Sequence, residues 1–351
     1  MDTKIIKLEI ENLAEGCFHE AAEVLRNGGL VAFPTETVYG LGANGLDETA
    51  AAKIYQAKGR PSDNPLIIHI AKTQDMESLA QEIPREAYQL AEVFWPGPLT
   101  MILRKNEFVP YQTTGGLDTV AIRLPANQIA RGLIEAAGVF VAAPSANLSG
   151  KPSPTLAQHV ICDLDGKVDM IIDGGHATLG LESTIVDLSG GEPMILRPGC
   201  ITKAMLENVI GKIEYDPVVL QGAPSLELAP KAPGMKYRHY APEGKLTIYE
   251  GDIQKVVDAI NQKAKEKLDN KNRVGVIATD ETEALYRYGT VKTIGSRKDE
   301  ASIAAGLYAV LREFDELHAE YIYTESFADN SLGQAIMNRL LKAAGYRVVK
   351  L

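Results

Sequence analysis

Residues 30–45 read LVAFPTETVYGLGANG, an apolar run followed by a polar turn and three spaced glycines. The run at 30–33 reads as a short apolar strand. Gly40, Gly42 and Gly45 spell G-x-G-x-x-G, which superficially matches a dinucleotide fingerprint. In that fingerprint the first glycine turns the chain directly after the strand. Here PTETVY intervenes between Phe33 and Gly40, so the glycines read as turn residues and not as a Rossmann cofactor loop. No G-x-x-x-x-G-K-[ST] is present, which excludes a P-loop ATPase.

Outward from this stretch, further short apolar runs recur at 66–71, 99–103, 119–124, 139–143, 170–172, 184–188 and 194–196. Helical periodicity occupies 18–26, stopped by Gly28 and Gly29, then 47–58 with Asp47 as its N-cap, and 84–94. So many strands predict a large, twisted, mixed α/β sheet over residues 1–211. From 212 to 245 the pattern dissolves around Pro217, Pro224, Pro230, Pro233 and Pro242, predicting a proline-rich linker. Residues 246–351 alternate strand and helix in the manner of a small, open, largely parallel α/β domain of Rossmann-like type.

The chain has 351 residues, more than one core usually serves, which agrees with two domains. Acidic residues outnumber basic ones 46 to 36, a formal charge of −10, so any nucleotide contact must be local. Cys17, Cys162 and Cys200 lie far apart, without the spacing of a disulfide framework or a zinc site. Residues 1–12 alternate charge with aliphatic residues and read as an edge strand, not a signal peptide. With no run of roughly 20 apolar residues, a cytoplasmic location without membrane contact is the expectation.

Hydroxyl, amide and cationic residues gather at strand ends and in the loops beyond them. Thr35 and Thr37 follow the first buried strand, Lys58, Arg60 and Asn64 sit in KGRPSDNP, and His69 lies within the next strand. Arg123 ends AIRLP, Ser145 and Asn147 occupy APSAN, Ser153 lies just beyond, Ser183 opens ESTIVD, and Arg197 stands in LRPG. Rigid sheets present ligands from such loops, and these groups are the donors that phosphates and carboxylates require. Singly each has an ordinary explanation: a solvated helix end for Lys58 and Arg60, a core histidine for His69, turn formers in APSAN. Their joint occurrence points to a site.

The ordered blocks PTETVYGLG, KGRPSDNPLIIH, WPGPLT, TVAIRLP, APSANLSG, ESTIVD and LRPG resemble the threonylcarbamoyl-AMP synthase family, with its YrdC-like catalytic domain. PGMKYRHYAP and the βα tail resemble the longer, two-domain branch of that family. The resemblance implies formation of threonylcarbamoyl-AMP and pyrophosphate from L-threonine, bicarbonate or CO2, and ATP. The product would pass to a tRNA threonylcarbamoyl transferase complex. It implies an ATP side of Lys58, Arg60, Asn64, Thr119, Ser145, Asn147, Ser153, Arg197 and Tyr237, with Lys58, Arg60 and Arg197 serving catalysis through phosphate charge.

It implies further a threonine pocket of Thr35, Thr37, His69, Arg123, Ala143 and Ser183. Arg123 is the natural carboxylate partner because its planar fork can hold both oxygens. Magnesium is expected with the triphosphate, and no dedicated acidic cage is visible, Glu36 and Glu182 being candidates by position only. The linker's Lys236, Tyr237, Arg238, His239 and Tyr240 read either as a lid over the nucleotide or as a docking segment. Two other functions compete. A carbamoyl-adenylate-forming maturation enzyme is disfavoured because the zinc-finger cysteines of that system are absent, and an RNA-binding module, with at most weak RNA contact, is disfavoured by the net charge of −10.

Overall fold

A computed structural model describes residues 2–217, 219, 230–233, 239–327 and 332–351. Among these, residues 2–149, 153–178 and 182–233 form one compact unit and residues 150–152, 179–181 and 239–351 another.

Eleven strands of the first unit pair into one mixed sheet. In spatial order they are β1 (Lys4–Lys7), β8 (Met170–Asp173), β2 (Val31–Phe33), β3 (Gly40–Asn44), β7 (Val141–Ala142), β4 (Ile67–His69), β6 (Thr119–Arg123), β5 (Leu99–Arg104), β9 (Thr184–Asp187), β10 (Met194–Arg197) and β11 (Glu214–Tyr215). The N-terminal strand lies at the edge and pairs in parallel with β8, as its alternating polarity predicts.

Two features differ from the sequence reading. Gly40–Asn44 is a strand and not a turn, antiparallel to β2 with Val31 opposite Gly42 and Phe33 opposite Gly40. A Cβ on Gly42 would lie 2.7 Å from both Phe33 Cε1 and Val141 Cγ1. These glycines therefore clear room for an aromatic ring on the sheet face, a requirement that mimics a cofactor loop in sequence. The second difference is β11, which pairs in parallel with β10 inside the stretch read as linker. Two-residue strands carry too little periodicity to be legible in sequence.

Helices cover the sheet where their apolar stripes demand it. Glu48–Lys58 starts at Asp47, whose Oδ1 accepts from Thr49 N at 2.8 Å and Ala50 N at 3.1 Å. It stops at Gly59, whose φ of 61° is the left-handed conformation that glycine adopts at little cost. That fixed end delivers Lys58 in the last turn. His19–Arg26 and Gln128–Ala137 pack with Val31, Phe33, Met170 and Ile172 in one core cluster. A smaller cluster among the described residues joins the buried strand residues Ile67, Ile102, Ala121, Ile185 and Leu196 with Ala232, and Met194 packs against it.

The second unit holds five parallel strands in the order β14 (Thr290–Thr293), β13 (Val274–Ala278), β15 (Tyr321–Glu325), β12 (Lys245–Glu250), β16 (Val348–Lys350). The helices Ile253–Asp269, Glu300–Glu316 and Leu332–Ala343 connect them. This is the open, parallel α/β arrangement that the βα rhythm predicts.

Replacing Gly42 with alanine should lower stability by about 1–3 kcal/mol through overpacking against Phe33 and Val141. Urea unfolding of the two proteins would measure it, and superimposable curves would refute the packing explanation.

Candidate active site

Strand register brings distant residues into one row. Across β4, β6, β5, β9 and β10, the residues His69, Arg123, Thr100, Ile185 and Arg197 stand opposite one another in turn. Directly opposed residues share a sheet face, and four strand spacings amount to about 19 Å. The next row on the same face begins Ile67, Ala121, Ile102 and belongs to the small apolar cluster. Thr119 lies further along that face, four residues before Arg123 and so about 13 Å from it. The face thus offers an apolar floor with polar groups along one side.

Arg123 anchors one end and is 4% exposed. Its Nη1 donates to Thr37 Oγ1 at 2.9 Å, its Nη2 to Glu36 Oε1 at 2.7 Å, and its Nε to the Gly97 carbonyl at 3.4 Å. Thr35 and Thr37 hydroxyls lie 2.8 Å apart, and Thr35 Oγ1 also accepts the amides of Thr37 and Val38, which shapes the turn after β2. Burial pushes the Glu36 carboxyl up, but the Arg123 charge and hydrogen bond outweigh it and hold the group below the usual carboxylate range.

His69 is buried beside this pair. Burial first, and the Arg123 charge second, bring its imidazole down to about 3, so it is neutral at physiological pH. Its Nδ1 lies 3.1 Å from the Ile67 carbonyl. A carbonyl only accepts, so Nδ1 carries the proton and Nε2 presents a lone pair. The ring can accept a hydrogen bond from a hydroxyl or an ammonium group, and it is not a cationic acid at neutral pH.

Arg197 anchors the other end. Its Nε donates to Ser183 O at 3.0 Å, its Nη2 to Ser183 Oγ at 3.1 Å and its Nη1 to Pro233 O at 3.3 Å. Ser183 Oγ lies 2.7 Å from Thr100 Oγ1, which fills the row between the two arginines. Register shifts between Ile195 and Arg197, and this irregularity lets the consecutive Leu196 and Arg197 both serve the same face.

Lys58 reaches this region from its helix end. Its buried ammonium donates to the backbone carbonyls of Ser145 and Asn147, and Ser145 Oγ donates to Asn147 Oδ1 at 2.6 Å. The cation therefore ties down the APSAN loop, a role that its helix-end position in sequence does not reveal. Gly40 bridges to Ser145, and Ala146 N donates to Tyr39 O at 2.8 Å, which joins this loop to the threonine turn. Ala143 N donates to Ile67 O at 2.8 Å, beside β4.

Ser153 Oγ donates to Glu182 Oε1 at 2.5 Å. Arg60 donates to the carbonyls of Asn64 at 3.3 Å and Pro65 at 3.1 Å, while the buried Asn64 Oδ1 has no hydrogen-bond partner among the described residues. Tyr237 and its neighbours Lys236 and Arg238 lie outside the described residues. Sequence reasoning omitted Thr100 and gave Glu36 no role in the pocket. A lone threonine inside an apolar run is the signal for the former, and Glu36 stood between two chosen threonines.

A buried face with cations at both ends of an apolar floor has the charge and shape that suit anionic ligands. The family model described as telomere recombination matches residues 23–199, and that described as threonylcarbamoyl-AMP synthase, C-terminal domain, matches residues 201–345. The threonylcarbamoyl-AMP synthase of Pyrococcus abyssi is 49% identical over 343 residues, covering 97% of both chains. That of Bacillus subtilis is 49% identical over 332 residues, covering 94% of both. The crystal structure of P. abyssi Sua5 complexed with L-threonine has a TM-score of 0.94 at 48% identity, covering 99% of this chain and 100% of that one.

The chain belongs to the threonylcarbamoyl-AMP synthase family. It is an enzyme of the nucleotidyltransferase type that makes threonylcarbamoyl-AMP, an intermediate of tRNA modification. Among the described residues, no helix is long and apolar enough to cross a membrane.

The His69 environment sets a pH dependence. Its folded-state value is about 3 against an ordinary 6.5, so the unfolded chain binds more protons between these limits. Stability on this account is complete above pH 6.5 and is lost as pH falls towards 3. Between pH 7.5 and 5 the wild-type chain should lose about 1–2 kcal/mol more than His69→Asn in urea unfolding. Parallel losses in both would show that His69 is not held neutral.

Proposed function

We propose that the Arg123 end of the face holds the carboxylate of L-threonine and the Arg197 end the triphosphate of ATP, with the adenosine against the apolar floor between. The observation that carries this reading is the single cross-strand row from His69 and Arg123 to Arg197. On it, Thr35, Thr37, His69, Ala143 and Ser183 complete the amino-acid pocket. Lys58, Arg60, Asn64, Thr119, Ser145, Asn147, Ser153 and Tyr237 serve the nucleotide.

The amine captures bicarbonate or CO2 as a carbamate. A carbamate oxygen then attacks the α-phosphorus, and pyrophosphate leaves. Such a transfer depends on alignment and on fixed charge near the phosphate oxygens, which needs no protein nucleophile. Lys58 contributes through the loop that it pins as well as through its charge, and the product goes on to a tRNA threonylcarbamoyl transferase complex.

Among the described residues, no group of three or more His, Cys, Asp or Glu is arranged to hold a metal ion. Glu36 is engaged by Arg123 and Glu182 by Ser153. Magnesium on this reading enters with ATP, ligated by phosphate and water, as its chemistry favours.

The domain division is read as a catalytic unit at 1–211, a linker at 212–245 and a small α/β unit at 246–351. A linker that closes over the nucleotide agrees with Ala232, fully buried in the floor cluster, and with the Pro233 carbonyl on Arg197. Closure would keep water from a hydrolysable adenylate.

Incubation with ATP, magnesium, bicarbonate and single amino acids should release pyrophosphate with threonine, and much less with serine or without bicarbonate. Lys58→Ala and Arg197→Ala should each lower that rate by about a hundredfold or more while circular dichroism stays unchanged. Near-normal turnover in both would remove the phosphate assignment.

A further inference from the structure

Glu36 is a charged residue of this pocket that the reading above leaves without a part in substrate recognition. Its Oε1 accepts from Arg123 Nη2 at 2.7 Å. Its Oε2 is sealed from water and has no hydrogen-bond partner among the described residues, while the backbone amides of Glu36 and Ala126, after Arg123, help to hold the carboxyl ionised. A carboxylate whose only task is to hold a guanidinium normally engages both oxygens in the fork. Leaving a charged oxygen buried without a donor is costly. A structural role does not explain why the fold bears that cost.

The charge balance of the pocket supplies a reason. Arg123 alone, beside a neutral His69 and the hydroxyls of Thr35 and Thr37, would make a cationic pocket that accepts any carboxylate anion. With Glu36 ionised at its side, the pocket carries one positive and one negative charge and is neutral as a whole. That is the charge pattern of an α-amino acid zwitterion, whose carboxylate and ammonium sit on the same carbon. Because water does not reach Oε2, its field is weakly screened and acts strongly at short range.

We propose that Glu36 is the specificity-determining residue for the substrate's amine, making the pocket accept a zwitterionic α-amino acid and reject the corresponding α-hydroxy acid. The inference rests on the amino-acid pocket proposed above and assigns Glu36 to neither the metal nor the phosphates. The hydroxy acid brings a net negative charge and no cation, so it would leave the Glu36 carboxylate facing a neutral hydroxyl.

The test is calorimetric titration of the full chain with L-threonine and with the 2,3-dihydroxybutyrate of matching configuration, which replaces the amine by hydroxyl. Wild type should favour threonine by at least about tenfold, the size of one charge-assisted contact. Glu36→Gln keeps the shape and removes the charge, and should reduce that preference to about threefold or less, chiefly by weaker threonine binding. Glu36→Asp keeps the charge and should retain most of the preference.

A Glu36→Gln protein that discriminates as wild type does, or a Glu36→Asp protein that loses discrimination equally, would overturn the inference and leave the pocket assignment standing. Wild-type chain that binds neither compound would bring down the pocket assignment and this inference together. A lower melting temperature in either variant does not alter the ratio, so a merely structural Glu36 is told apart from a selective one.

Discussion

A buried guanidinium is the constraint around which this site is organised. Arginine cannot shed its proton inside a protein, so a side chain only 4% exposed must be given a counter-charge and acceptors by the fold. The acceptors of Arg123 come from two places in the chain, the turn after β2, which supplies Glu36 and Thr37, and the segment before β5, which supplies the Gly97 carbonyl, while β6 supplies the arginine itself. No single loop could do this. The mixed order of the sheet, which sets β6 between β4 and β5, is what brings His69 and Thr100 to either side of that guanidinium.

The same charge governs its neighbours. It outweighs burial at Glu36 and adds to burial at His69, so the same cation favours an ionised carboxylate on one side and, second to burial, a neutral imidazole on the other. The result is a pocket with a fixed cation, a fixed anion and a neutral acceptor. On the proposed reading such a pocket recognises and orients, and leaves the bond-making to reactants whose own groups are nucleophile and leaving group.

Much of the fold was legible in the sequence because its strands are apolar and continuous. The runs at 30–33, 66–71, 99–103, 119–124, 170–172, 184–188 and 194–196 each correspond to a strand, as does 139–143 in shortened form. Gly40–Asn44 was not legible, since glycines chosen for close packing against Phe33 look like turn residues when the ring cannot be seen. The site was legible as a set of residue types at strand ends. What sequence could not supply was the hydrogen-bond geometry. Lys58 looked like a helix-end cation and proves to clasp two loop carbonyls, while Thr100 looked like ordinary strand filler and proves to bridge towards Ser183.

Net charge is a poor guide to such a site, and this chain gives the reason. At −10 overall it should repel a triphosphate, yet the cations of the proposed site are withdrawn from the surface. Lys58, Arg123 and Arg197 are 2%, 4% and 4% exposed, and each has carbonyl or carboxylate partners that fix its direction. Exposed acids act through solvent and salt, and their field fades within roughly 8 Å at physiological ionic strength. Buried cations on an apolar floor act at low effective dielectric on whatever reaches them. On the proposed assignment of Lys58 and Arg197 to the phosphates, the local term outweighs the global one, so a chain of net negative charge can serve a polyanionic substrate.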